Sequence, residues 1–132
     1  MLIETFRDLD AWKAAHELVL AVYRLTRKFP KDELFGVTSQ VRRSATSIPA
    51  NIAEGFGRHG TKEFLRFIRI ANGSLQETKY FLLLAKDLGY MTPEEHASAT
   101  EFSDRTGALL GGLQRSLTKQ LERTEGTRAA SG

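Results

Sequence analysis

The chain has 132 residues, of which 41% are hydrophobic and 27% charged, the balance of a single globular domain. It has no cysteine, which excludes disulfides and thiolate chemistry and favours a cytoplasmic location. Its longest apolar run is far short of the roughly 20 residues that cross a bilayer, and acids near its start do not suit a signal peptide, so neither membrane insertion nor secretion is expected.

The formal net charge of +3 is concentrated in the middle of the chain. From Thr38 to Asn72, six basic residues stand against two acids, which gives +4, whereas the other 13 basic and 14 acidic residues sum to −1. A localised excess of this kind favours an anionic partner such as RNA or DNA.

The first helix is predicted from about Asp8 to Phe29, where apolar residues recur every three or four positions. Either Asp8 or Asp10 is the expected N-cap, and Pro30 stops the helix. Its apolar residues form two stripes, and one buried face needs only one of them. The stripes are Leu9, Trp12, His16, Val19 and Tyr23, and Leu18, Val22, Leu25 and Phe29.

The second helix is predicted between residues 31–33, which carry two acids, and the glycines at 55 and 57. Pro49 lies inside it, where it removes one backbone donor and clashes with the carbonyl of Ala45. We expect a kink at Pro49 rather than a new helix capped by Ser47.

The third helix is predicted from near Thr61 to Gly89, with one apolar line through Phe64, Ile68, Ala71, Leu75 and Leu82. The fourth begins at residues 92–95, where Thr-Pro-Glu-Glu is a capping box, and its glycines at 111 and 112 suggest a close contact or a bend.

These elements predict an all-α fold, an antiparallel up-and-down four-helix bundle over residues 1–123. The small, polar residues from Thr124 to Gly132 are expected to form a disordered tail.

The sequence offers no constellation for catalysis, a metal or a cofactor. No glutamate stands three residues before a histidine, which excludes the di-iron motif of helical bundles, and the three histidines are too scattered for zinc. Residues 55–60 match G-x-G-x-x-G, but a helix rather than a strand is predicted before them, so we interpret them as a turn. We therefore expect a protein that is not an enzyme and has no cofactor.

Arg58, Lys62, Arg66 and Arg69 are spaced by four, four and three residues and would share one face of a helix that reached back to Arg58. Such a row suits contact with a phosphate backbone, although it could equally be a solvated face with acids as partners. The nucleic-acid-binding residues predicted in this way are Arg58, Lys62, Arg66 and Arg69, extended by Arg42 and Arg43, unless Arg42 pairs with Glu54 instead.

Residues 40–55, which read QVRRSATSIPANIAEG, resemble the signature of the intervening-sequence protein family, also called S23-type or four-helix-bundle proteins. The resemblance continues in residues 64–77 and 88–90 and covers roughly residues 6–122, with Phe35 and Val37 in place of the usual tyrosine and leucine.

This resemblance implies a four-helix bundle that assembles into a ring-like homopentamer and has no established enzymatic activity. The family was first noticed inside insertions of bacterial large-subunit rRNA genes, a position that does not make its members ribosomal proteins. A related accessory protein of diversity-generating retroelements is similarly pentameric and is basic enough to engage nucleic acid and a reverse transcriptase. By analogy, the possible partners are other copies of this chain, RNA or DNA, and a reverse transcriptase.

The signature residues are interpreted as structural. Ser47 and Pro49 would shape the kink, while Asn51 and Glu54 would bond to neighbouring helices or to backbone groups that the proline frees. The structural set is Ser47, Pro49, Asn51, Glu54 and Gly55.

Two functions remain open: a non-catalytic, homo-oligomeric protein that binds nucleic acid, and a structural or protein-interaction scaffold. Both involve self-association, because the first helix carries a surplus apolar stripe and the third is apolar nearly all round from Tyr80 to Leu84.

Overall fold

The computed structural model describes residues 2–131, with side chains for residues 2–127. It has four α-helices: α1 (Asp10–Thr26), α2 (Val37–Gly57), α3 (Thr61–Asp87) and α4 (Pro93–Ser131). Short 3-10 turns at Phe6–Asp8 and Lys31–Glu33 precede α1 and α2, and residues 2–131 contain no strand. The predicted all-α four-helix fold is confirmed.

Each helix packs against two neighbours: α1 and α3 both contact α2 and α4, whereas the Cα atoms of diagonal helices stay more than 8 Å apart within residues 2–131. The α2–α3 pair is antiparallel, because Ser44 bonds to Thr78 and Ser47, further along α2, bonds to the earlier residue Ser74. α1 and α4 are also antiparallel, because Glu17 of α1 pairs with Arg105, whereas Lys28, just after α1, pairs with the earlier residue Glu95. This is the topology of an up-and-down bundle.

The first helix is shorter than the sequence predicts. Neither Asp8 nor Asp10 is the N-cap of α1, because Asp10 is its first residue and Asp8 belongs to the preceding 3-10 turn, which Thr5 caps. The Asp8 carboxylate completes that cap by accepting the backbone N–H groups of Thr5 (3.0 Å) and Glu4 (2.9 Å), which lower the pKa of Asp8. Leu9 precedes α1 without a side-chain cap. The helix ends at Thr26 rather than Phe29. The buried ring of Phe29 packs against the ring of Tyr90, which lies between α3 and α4.

α2 is one helix across Pro49 and does not begin anew at Ser47. α3 begins at Thr61, as predicted. The capping box of α4 is also present: the Glu95 N–H donates to Thr92 Oγ1 (3.1 Å) and the Thr92 N–H donates to Glu95 Oε1 (2.8 Å). The ammonium of Lys28, two residues after the end of α1, and the Thr92 backbone N–H together lower the pKa of Glu95.

The C-terminal part of α4 differs from the prediction. Residues 124–131 are helical where a disordered tail is expected, because a run without proline lets the helix propagate one hydrogen bond at a time. Gly132 lies outside the described residues. A Cβ at Gly111 would meet only the Arg115 side chain of α4 itself, so this glycine does not mark a close approach of another helix.

The core contains the predicted α3 line from Ile68 to Leu82, with Phe64 at its edge. His16 belongs to one of the two apolar stripes predicted for the first helix but is exposed, with its ring stacked on the Trp12 ring at 4.9 Å. In α4, Leu110 is fully buried and its neighbour Leu109 packs partly buried against the core. The largest side chains that are completely buried are Leu18, Val22, Val41, Ile48, Ile52, Leu65, Ile68, Leu75, Leu82 and Leu110.

Gly55 marks a close approach of α2 to α3. A Cβ at this position would lie 2.6 Å from the Cβ of Phe67 and 3.0 Å from Cδ1 of Phe64. The first of these atoms is fixed to the backbone of α3 and cannot swing away. Only glycine allows the two helices to meet at this distance.

We predict that Gly55→Ala lowers the free energy of unfolding by about 1–3 kcal/mol, because the added methyl forces the helices apart. The matched control is Gly73→Ala on the exposed side of α3, where a Cβ meets nothing within 4 Å. Its higher helix propensity should stabilise the protein by up to about 1 kcal/mol. Urea denaturation measures both changes, and equal stability of the two variants would contradict the close packing at Gly55.

Candidate nucleic-acid interface

The structure divides the six predicted cations into two groups. Arg42 and Arg43 lie in the first half of α2, whereas Arg58 follows its last residue and the other three lie in the first turns of α3. At about 1.5 Å of rise per residue, Arg42 and Arg58 are about 24 Å apart along α2. We therefore describe the six cations as two basic regions, one in the first half of α2 and one at the turn from α2 into α3.

The first region is the α3 basic face, formed by Arg58, Lys62, Arg66 and Arg69, all of them exposed. The spacing in the sequence places Arg58 in the row only if the helix reaches back to it. Because α3 begins at Thr61, Arg58 lies outside the helix and does not extend the row. It nevertheless joins the face through its side chain. The guanidinium carbons of Arg58 and Arg66 lie 5.3 Å and 4.5 Å from the centre of the same ring, that of Phe67.

Acids neutralise part of this face. Arg58 pairs with Glu54 at 3.0 Å and Arg66 with Glu63 at 2.9 Å, and all four side chains are about half exposed. Exposed pairs of this kind contribute little and exchange readily with other anions. In the part of the chain whose side chains are described, Lys62 and Arg69 form no ion pair.

The second region lies between α1 and α2. Arg42 is half-buried there: its Nε donates to Thr26 Oγ1 at 2.8 Å, and its guanidinium carbon lies 4.6 Å from the centre of the Tyr23 ring. The alternative pairing of Arg42 with Glu54 is wrong, because Glu54 is three turns away and bonds to Arg58. Arg43 is exposed beside Arg42.

The signature residues have structural contacts. Asn51 Nδ2 donates to the Ser47 carbonyl (2.8 Å) and lies 2.9 Å from Ser47 Oγ, and that hydroxyl bonds to Ser74 Oγ of α3 at 2.9 Å. The carbonyl that Pro49 frees is that of Ala45, so Asn51 does not compensate for the proline. Its network instead joins α2 to α3.

The glycine-rich segment at residues 55–60 contains the last three residues of α2 and the three-residue turn that leads into α3. Gly60 has φ +113°, a conformation that glycine adopts without strain. The element before the segment is a helix, so the strand that a dinucleotide-binding loop requires is missing.

Within the described side chains, no cluster of three or more histidine, aspartate or glutamate residues has the arrangement of a metal site. No described helix combines the length and apolar character that a bilayer span demands.

Comparison with known proteins identifies the family. The family model described as 23S rRNA-intervening sequence protein matches residues 7–112, most of the chain, and the chain belongs to this family. A similar fold is seen in the crystal structure of a protein of unknown function from the S23 ribosomal protein family of Bacteroides thetaiotaomicron VPI-5482. The two share 26% identity over 80% of this chain and 95% of that one, with a TM-score of 0.74. Comparison with curated proteins gives no match.

Proposed function

We propose that this protein is a non-catalytic, homo-oligomeric four-helix bundle of the cytoplasm that binds RNA or DNA through a basic surface. The observation that carries the proposal is the α3 basic face, with Lys62 and Arg69 exposed and outside any ion pair within the described side chains. Such cations contact phosphates and release the counterions that surround them.

The two arginines on the Phe67 ring complete this face. Stacking on an aromatic ring holds a guanidinium in place while its N–H edges stay available for phosphate oxygens. Arg58 and Arg66 are held in this way, and their acid partners lie at the exposed surface, where a phosphate competes with them. Bound phosphates would therefore meet a preorganised row.

Exposed apolar side chains support self-association. Tyr80 and Leu83 are exposed in the C-terminal half of α3, and Leu88 is exposed directly after it, whereas the basic face lies in the N-terminal half. Covering them with a second copy removes apolar surface from water, at roughly 25 cal/mol per Å². The family resemblance implies five copies in a ring, which would repeat the basic face around one assembly.

The same apolar residues favour a second candidate function, a scaffold that binds proteins and no nucleic acid. Measurements with nucleic acid separate the two, because only the first function depends on the cations of α3.

We predict that the wild-type protein binds RNA or DNA and that the affinity falls steeply with salt. The variant Lys62→Gln/Arg69→Gln should reduce the slope of log affinity against log salt by about 1.5, because each lost phosphate contact removes about 0.7–0.9. Fluorescence anisotropy at several salt concentrations measures the slope.

The control is Lys119→Gln/Arg123→Gln, which removes the same charge from exposed positions on α4. Its slope should equal that of the wild type. Absence of wild-type binding at low salt would reject the nucleic-acid function and leave the scaffold.

We also predict a particle several times the 14.8 kDa of one chain in light scattering. Tyr80→Glu should reduce the mass of the particle, because it places a charge among the exposed apolar side chains near the end of α3. Gln76→Glu, one turn away at a polar position, should leave the mass unchanged. A monomer at micromolar concentration would refute self-association, and a stable dimer would refute the ring.

A further inference from the structure

A groove between the end of α1 and the start of α2 is not explained by the function proposed above. It consists of two adjoining hollows of about 520 and 330 Å³, which share Leu34, Thr38 and Arg42 in their walls. We call it the α1–α2 groove. None of the four cations of the α3 basic face lines it.

The groove is cationic. Arg27, Lys31, Arg42 and Arg43 line it, and no carboxylate does. In the described part of the chain, none of these four forms an ion pair. Two acids lie in the turn before α2. The carboxylate of Glu33 accepts a hydrogen bond from the Tyr90 hydroxyl (2.7 Å), and Asp32 is exposed.

The groove also carries exposed aromatic rings. Phe35 is 93% exposed, more than any other large hydrophobic side chain that the structure describes, and Tyr23 is 40% exposed with the Arg42 guanidinium against its ring. A phenylalanine ring in full contact with water is unfavourable unless something covers it.

One polar group at the groove lacks a partner. The Oγ1 atom of Thr38 is buried, and it is the buried side-chain polar atom without a hydrogen bond within the described residues. Thr38 contributes to both hollows. An unpaired buried hydroxyl is costly, and a small movement of its neighbours would let a ligand satisfy it.

We propose that the α1–α2 groove binds a single-stranded segment of nucleic acid, with an unstacked base on the Phe35 ring and phosphates at the four cations. This inference rests on the proposed nucleic-acid function and adds a second site with a preference for strand form. Cations alone contact single strands and duplexes alike, but a stacking ring requires bases that are not already stacked in a helix.

A second copy of the chain is the other candidate occupant. It would have to bring carboxylates to four cations that lack them, whereas a phosphate backbone supplies one negative charge per nucleotide. The charge of the groove therefore favours nucleic acid, and the experiment below separates the two occupants.

The test compares Phe35→Leu with Phe35→Trp, two variants that keep an apolar side chain at an exposed position where neither should affect folding. Only tryptophan keeps an aromatic ring. Anisotropy is measured with a labelled oligothymidylate of about 15 nucleotides, within the site sizes of single-strand binders, and with a duplex of the same length. Phe35→Leu should weaken single-strand binding about tenfold, since one base–aromatic stack is worth about 1–3 kcal/mol. Phe35→Trp should bind as tightly as the wild type, and duplex binding should not change.

Lys62→Gln/Arg69→Gln is the control on the other surface. This variant should weaken the binding of the single strand and of the duplex by the same factor, so that the ratio of the two affinities stays unchanged. Wild-type binding that Phe35→Leu does not weaken would overturn the groove proposal while the proposed function stands. If Phe35→Leu instead lowers the mass of the particle and leaves binding unchanged, the groove is an interface between copies. No binding by the wild type would overturn both proposals.

Discussion

The packing of α2 against α3 is the contact on which the rest of the structure depends. Gly55 lets the helices approach until Phe67 fills the position of its missing side chain. Further along, the hydroxyl pairs Ser47–Ser74 and Ser44–Thr78 fix the register, and each is satisfied by partners inside the pair of helices. A shift of one turn would break these hydrogen bonds in a buried layer, which costs more than exposed contacts can restore.

This register determines where positive charge appears. It brings Arg58, which lies outside α3, beside Arg66 on the Phe67 ring, and it leaves Arg42 at the other end of α2, against Tyr23. Both regions therefore place guanidinium groups on aromatic rings, which limits their motion without neutralising them. The α3 basic face is suited to phosphates alone, whereas the α1–α2 groove adds an exposed ring and is suited to bases as well.

Local signals in the sequence were enough to predict much of the fold. The start of α4 depends on a capping box within four residues, and the buried line through Ile68 follows from helical periodicity. The site was harder to predict, because the partner of Arg42 is Thr26, sixteen residues earlier on another helix. The register of α1 against α2 decides that contact, and no local pattern encodes it. The exposure of Phe35 likewise depends on the turn that directs it away from the core.

Hydrogen–deuterium exchange with and without a bound oligonucleotide tests most directly whether the protein binds nucleic acid at two separate basic regions. Amides in the turns are the informative ones, because helical amides already exchange slowly. A single-stranded oligonucleotide should slow exchange at residues 31–36, beside the groove, and at residues 58–61, where the α3 basic face begins. Protection confined to α4, or no protection at either turn while the oligonucleotide is bound, would contradict this assignment.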